Sequence, residues 1–157
     1  MKALIFAAGL GTRLKPLTDT MPKALVPING KPLLEHQILK MKKMGFDHLV
    51  INVHHFADQI IDFLSKNNNF GLKIDISDER NLLLETGGGV KKAASFFTDE
   101  KPFLIHNVDI LSNIDLQSFY TENASKSLIS LLVNQRKTSR YLLFNEEKRL
   151  VGWTNVQ

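Results

Sequence analysis

Between Ala7 and Leu17 the chain reads Ala-Ala-Gly-Leu-Gly-Thr-Arg-Leu-Lys-Pro-Leu, with two glycines and a threonine followed at once by an arginine. Glycines in such a stretch let the backbone approach a ligand closely and leave amide N–H groups free to point at phosphate oxygens. Arg13 adds a planar, permanently charged donor fork that matches phosphate geometry. Two familiar phosphate loops do not fit. The dinucleotide fingerprint wants a third glycine where Leu14 stands, and the P-loop wants Gly-Lys-Ser/Thr after four spacer residues. Two glycines alone would be an ordinary strand-to-loop turn. Thr12, Arg13 and Pro16, and then Met21-Pro22-Lys23-Ala24-Leu25-Val26-Pro27, argue for more than that.

Two further places hold residues with chemistry. The run Leu84-Glu85-Thr86-Gly87-Gly88-Gly89 again exposes backbone, and Asp109 follows an apolar run. A carboxylate there is a hard oxygen ligand for a divalent cation, or a helix cap. Asn107 reads either as a hydrogen-bonding partner for ribose or sugar or as a local turn residue. His54, His55 and His106 do not read as a metal site. Adjacent histidines cannot share one strand or helix face, and no cysteine is available to complete a zinc site. They read as polar strand-end groups near a ligand or in structural hydrogen bonds. Lys40, Lys42, Lys43, Lys91 and Lys92 read as solvated helix faces, Arg136, Lys137 and Arg140 as a surface loop, and Trp153 as hairpin packing.

The elements that must position these groups follow from the apolar pattern. Strands are expected over 2–8, 48–53, 72–76, 102–108 and 127–133, and helices over 32–44, 57–66, 90–97 and 116–123. Residues 9–31, rich in Gly, Pro, Thr and Lys, read as a long loop. Residues 141–144 and 150–153 flank 145–149 as a hairpin. Strands alternating with helices imply an α/β fold, a Rossmann-like, mostly parallel sheet with helices on both faces. Ligands of such sheets bind beyond the carboxyl ends of the strands. Gly9 to Arg13, His54–His55 and Asp109 all fall there.

Composition bounds the rest. With 157 residues, 43% of them hydrophobic and 23% charged, the chain suits one globular domain over 1–157, and no long linker or repeat divides it. The absence of cysteine rules out a disulfide scaffold, a thiolate nucleophile and an iron–sulfur site, and is compatible with the expected cytoplasmic location. No uncharged apolar run approaches the ~20 residues of a membrane helix. The apolar start is not read as a signal peptide, since Gly9, Gly11, Arg13 and Lys15 interrupt it. The net charge of +4 sits in the first third, where residues 1–50 hold eight Lys/Arg against three acids. No aromatic residues interleave these cations as a stacking platform for nucleic acid would need. No nucleic acid and no membrane are therefore expected as partners.

The chain resembles the sugar-1-phosphate nucleotidyltransferases. The resemblance rests on the glycine-threonine-arginine loop, Pro22-Lys23, Leu84-Glu85-Thr86-Gly87-Gly88-Gly89 and Asp109, and runs to about residue 116. Leu84 to Gly89 and Ile51-Asn52-Val53-His54 look most like N-acetylmuramate-1-phosphate uridylyltransferases, with mannose-1-phosphate guanylyltransferases close behind. The resemblance implies an enzyme whose partners are a nucleoside triphosphate and a sugar 1-phosphate, with Mg²⁺ as cofactor, and it leaves a homo-oligomer open. It also implies the residue roles. Ala8, Gly9, Leu10, Gly11 and Thr12 would line the triphosphate. Arg13 and Lys23 would be the catalytic cations. Glu85, Thr86, Gly87 and Gly88 would meet base and sugar, Asn107 would bind nucleotide, and Asp109 would hold the metal. The family ordinarily has glycine before this aspartate, where Val108 stands here. It also has a second metal-holding aspartate farther on, for which the chain offers no candidate, so a C-terminally truncated domain is expected. Two other readings stay open: cytidylyl transfer to phosphocholine or a similar phosphorylated alcohol, and a non-catalytic nucleotide-sensing module.

Overall fold

A buried apolar run opens the chain as strand β1 (Lys2–Phe6), and Gly9 and Gly11 release it into the loop that follows. The computed structural model describes residues 1–156. The expected long loop over 9–31 carries three short 3-10 turns, at Thr12–Leu14, Leu17–Asp19 and Lys23–Leu25. It ends in a small antiparallel pair, β2 (Pro27–Ile28) with β3 (Lys31–Pro32). Helix α1 (Leu33–Lys43) buries Leu33, Leu34, Ile38 and Met41 at helical spacing. It stops at Gly45, whose φ of 82° suits the residue after a helix end.

Strand β4 (His48–Val53) is buried along its whole length. Helix α2 (Ala57–Lys66) follows with the bounds the apolar stripe predicts, burying Ala57, Ile60 and Leu64. Each of the last two contributes about 1.5–3 kcal/mol by leaving water. Next come β5 (Lys73–Asp78), helix α3 (Glu85–Ala93) continued by a 3-10 turn at Ala94–Phe96, β6 (Phe103–Asn107) and helix α4 (Leu116–Asn123). Asp115 caps α4, its carboxylate accepting from the Ser118 N–H at 3.0 Å, so the cap reading belongs to Asp115 and not to Asp109.

The four long strands pair in parallel in the order β5-β4-β1-β6. Ala3, Ile5, Leu49 and Ile51 face one core with residues of α1, α2 and α4. Leu4 and Val50 face the other, with Ala93 and Val90 of α3 and Phe96, Phe97 and Phe103. This is the expected Rossmann-like sheet with helices on both faces. The chain reverses its direction of travel between β1 and β6, and the carboxyl ends of these neighbours form the crevice where such sheets bind ligands.

Two expectations need correction. The helix expected over 90–97 begins at Glu85, so Gly87, Gly88 and Gly89 lie inside it. Glycine weakens a helix by about 1 kcal/mol per residue, but at Gly89 the tertiary packing leaves little room for a side chain. A Cβ at that position would lie 3.0 Å from Glu79 Oε1 and 3.0 Å from Phe6 Cε1. The strand expected over 127–133 does not form, because apolar residues alone do not supply a pairing edge.

The residues form two compact units, Met1–Lys126 and Ser127–Gln157. In the second, β7 (Arg140–Phe144) and β8 (Leu150–Asn155) form the expected hairpin, and Trp153 pairs across it with Leu142. No helix is long and apolar enough to cross a membrane among the described residues.

Candidate nucleotide site

Every residue singled out for chemistry lies in the first unit, and the key ones gather at the β1–β6 crevice. Gly11 adopts φ +66°, and its carbonyl accepts from the Leu14 N–H at 2.8 Å and from Thr18 Oγ1 at 2.9 Å. A Cβ on Gly11 would lie 2.8 Å from Thr18 Cγ2 and 2.9 Å from Lys23 Cβ. Glycine is therefore required twice, for its backbone angle and for the close approach of Lys23. Gly9, Leu10, Thr12 and Arg13 are exposed along the rim of this loop.

Lys23 comes from the 3-10 turn after Pro22, and Asp109 from the turn after β6. Their side chains meet, Lys23 Nζ donating to Asp109 Oδ2 at 2.6 Å across 86 residues of sequence. The pair is partly open to solvent, 18% exposed at the lysine and 39% at the aspartate. Partial burial pushes the Asp109 carboxyl up, but the hydrogen bond and charge of Lys23, helped by Arg13, outweigh it and hold the group below its ordinary value. Asp109 thus presents an ionised carboxylate beside two cations, in donor type a fit for Mg²⁺ shared with nucleotide phosphates. No cluster of three or more His, Cys, Asp or Glu able to hold a metal occurs among the described residues.

The turn bearing Asp109 is fastened from behind by α1. Gln37 Nε2 donates to the Ile110 carbonyl at 2.7 Å, and Lys40 Nζ to the Ser112 carbonyl at 2.8 Å. Burial lowers the Lys40 pKa. Lys40 is therefore a strut rather than part of a solvated face. Asn107, two residues before Asp109, is exposed at the end of β6. His54 and His106 make structural hydrogen bonds, and His55 is exposed. His54 Nδ1 lies 2.7 Å from the Glu79 carbonyl and His106 Nδ1 lies 2.7 Å from the Asn107 carbonyl, each in donor position. Burial lowers the His106 pKa, disfavouring the charged ring.

Glu85, Thr86 and Gly87 form the exposed first turn of α3, with Glu85 at φ 59°, an uncommon angle for a residue with a side chain. Beneath them lie two residues that sequence reasoning missed. Asn52 and Glu79 are 2% and 1% exposed. Asn52 Oδ1 accepts from the N–H groups of Ala7 at 2.7 Å and Ala8 at 3.2 Å. Asn52 Nδ2 donates to Glu79 Oε1 at 3.0 Å, and Glu79 Oε2 accepts from the Leu84 N–H at 3.2 Å. The available signal was a lone asparagine inside the apolar strand Leu49-Val50-Ile51-Asn52-Val53.

The model of the family described as nucleotidyl transferase matches residues 2–144. An N-acetylmuramate alpha-1-phosphate uridylyltransferase of Neisseria meningitidis is 40% identical over 125 residues, covering 80% of this chain and 54% of the relative. The mannose-1-phosphate guanylyltransferase catalytic subunit beta of Danio rerio is 32% identical over 146 residues, covering 90% of this chain and 40% of the relative. The crystal structure of HddC from Yersinia pseudotuberculosis complexed with GMP-PN superposes with a TM-score of 0.76 at 25% identity, covering 99% of this chain and 69% of that one. The chain spans about half the length of the curated relatives it matches.

Proposed function

The chain belongs to the nucleotidyl transferase family, and from that premise we propose that it transfers a nucleotidyl group from a nucleoside triphosphate to a sugar 1-phosphate, giving a nucleotide sugar and pyrophosphate. The observation that carries the reading is the Lys23–Asp109 pair at the switch point, beside the exposed backbone of Gly9 to Thr12. It joins an anion-binding loop to a carboxylate able to share a cation with that anion.

In this reaction an oxygen of the sugar phosphate attacks the α-phosphorus. The bond from that phosphorus to the bridging oxygen of the β-phosphate breaks, and pyrophosphate leaves with the electron pair. Both reactants are anions, so the protein supplies alignment and positive charge rather than a nucleophile. Ala8, Gly9, Leu10, Gly11 and Thr12 line the triphosphate. Arg13 holds the departing phosphates and Lys23 the reacting centre. Glu85, Thr86, Gly87 and Gly88 meet base and sugar, and Asn107 meets the nucleotide. Asp109 holds Mg²⁺, which when bound adds charge shared among the phosphates. Uracil has the most support among the bases, through the 40% identity to the uridylyltransferase. A cytoplasmic setting is compatible with the cysteine-free composition.

Thermal unfolding with UTP, GTP, CTP or ATP, with and without Mg²⁺, tests the reading. A ligand at ~100 times its dissociation constant adds about 2.7 kcal/mol to the native state. A magnesium-dependent shift selective for UTP is expected. Selectivity for GTP or CTP would redirect the acceptor toward mannose 1-phosphate or a phosphorylated alcohol. Binding without pyrophosphate release, with every acceptor supplied, would favour the sensing module. No shift with any nucleotide, in a chain that melts cooperatively, would overturn the reading for this chain.

A further inference from the structure

Two segments of the candidate site, the loop after β1 and the first turn of α3, are far apart in sequence and joined underneath by Asn52 and Glu79. We propose that these two residues are a positioning pair that couples the phosphate side of the site to its base side, so that a nucleoside triphosphate is read as one object. The proposal rests on the nucleotide-binding reading above.

Hydrogen-bond accounting carries it. Asn52 Oδ1 is taken by two backbone donors, the N–H groups of Ala7 and Ala8 at the entrance to the phosphate loop. The amide orientation of Asn52 is thereby fixed, and its Nδ2 must point at Glu79 Oε1, 3.0 Å away. The other Glu79 oxygen accepts from the N–H of Leu84, the residue that opens α3. Glu79 is itself pinned through its backbone, its N–H donating to the Val53 carbonyl at 2.7 Å and its carbonyl meeting His54 Nδ1 at 2.7 Å. Gly89 presses on the same pair, and a Cβ there would lie 3.0 Å from Glu79 Oε1 and 3.3 Å from Asn52 Nδ2. The backbone N–H groups of Ala7, Ala8 and Leu84 fix the donor sense at both ends of the pair. Both residues are sealed from water, so no solvent molecule is at hand to repair a mismatch.

The donor sense also dictates the test. In Glu79→Gln the new Nε2 must face either Asn52 Nδ2 or the Leu84 N–H, donor against donor. In Asn52→Asp a second carboxylate faces Glu79. The exchanged pair Asn52→Asp with Glu79→Gln restores every partner: the introduced aspartate accepts from Ala7, Ala8 and the glutamine Nε2, and the glutamine oxygen accepts from Leu84. Affinities for UTP with Mg²⁺ and for inorganic tripolyphosphate are measured well below the melting midpoint of each protein. We expect Glu79→Gln to weaken UTP about tenfold or more while changing tripolyphosphate by less than about threefold. The exchanged pair should return UTP affinity to within about threefold of the parent. A Glu79→Gln protein that melts lower yet binds UTP like the parent would overturn the proposal, as would an exchanged pair no better than the worse single variant. If Glu79→Gln does not fold, the exchanged pair alone decides. If the parent binds no nucleotide, the functional reading falls. The coupling is then read from amide hydrogen exchange at Ala8 and Leu84, which must rise together in a single variant and recover together in the exchanged one. Independent exchange at the two amides would overturn it.

Discussion

At the β1–β6 end of the site the polar groups face solvent, with Arg13 exposed on its loop and Asp109 39% open beside Lys23. At the β4–β5 end Asn52 and Glu79 are sealed, showing 2% and 1% of their surface. The open end carries charges able to meet a ligand. The buried pair Asn52–Glu79 meets no solvent, and instead holds the backbone of two segments. The difference separates residues whose loss removes chemistry from residues whose loss removes the geometry that chemistry needs.

Mutations can break or sharpen this division. The largest effect should fall on turnover at the open end. Arg13→Ala and Asp109→Asn should each slow pyrophosphate release at least a hundredfold, about 2.7 kcal/mol or more of lost charge stabilisation, with little change in urea midpoint. Near-normal rates in either variant would remove that residue from the chemistry. At the closed end stability should suffer instead. Asn52→Ala orphans the Ala7 and Ala8 donors and a Glu79 oxygen, and should cost roughly 3 kcal/mol in urea unfolding. Within α3 the contrast recurs at smaller scale. Gly89→Ala, pressed against Glu79 and Phe6, should lose about 1–3 kcal/mol, whereas Gly87→Ala, with open space around its Cβ, should gain up to about 1 kcal/mol. Equal effects at the two glycines would show that helix propensity, not packing, dominates there.

The smallest effect concerns pH. The folded-state pKa of Asp109 is depressed, so its pairing with Lys23 stabilises the protein above the ordinary aspartate value near 3.9 and is lost as pH falls through the lowered folded value. A partly exposed pair of this kind is worth about 0–1 kcal/mol. The difference in melting midpoint between parent and Asp109→Asn should therefore be small at pH 7 and shrink further as pH falls through the lowered folded value.

Much of this was legible in the sequence. The bounds of α2 follow from Ile60, Ile61 and Leu64, and the crevice residues follow from glycines and Asp109 standing after apolar runs, with Lys23 singled out by the family resemblance. What failed did so for tertiary reasons. Glycines at 87–89 look like a loop because intrinsic propensity is a local quantity, while the close approach at Gly89 comes from β1, β4 and the end of β5. The run Ser127-Leu-Ile-Ser-Leu-Leu-Val133 has strand composition, but pairing partners are not written in a segment's own residues. Asn52 stood out only as a polar residue in an apolar strand, and its role with Glu79 went unread for the same reason, since what matters about them is which donors face which acceptors.

The Lys23–Asp109 contact has one more consequence. Each partner already neutralises the other at 2.6 Å. A lone anion arriving at Lys23 meets an ammonium already shared with a carboxylate, and a lone cation arriving at Asp109 meets a carboxylate already shared with an ammonium. A visitor carrying both signs at once lets the two residues trade partners with no charge stranded, so the resting pair favours ligands with internal charge balance.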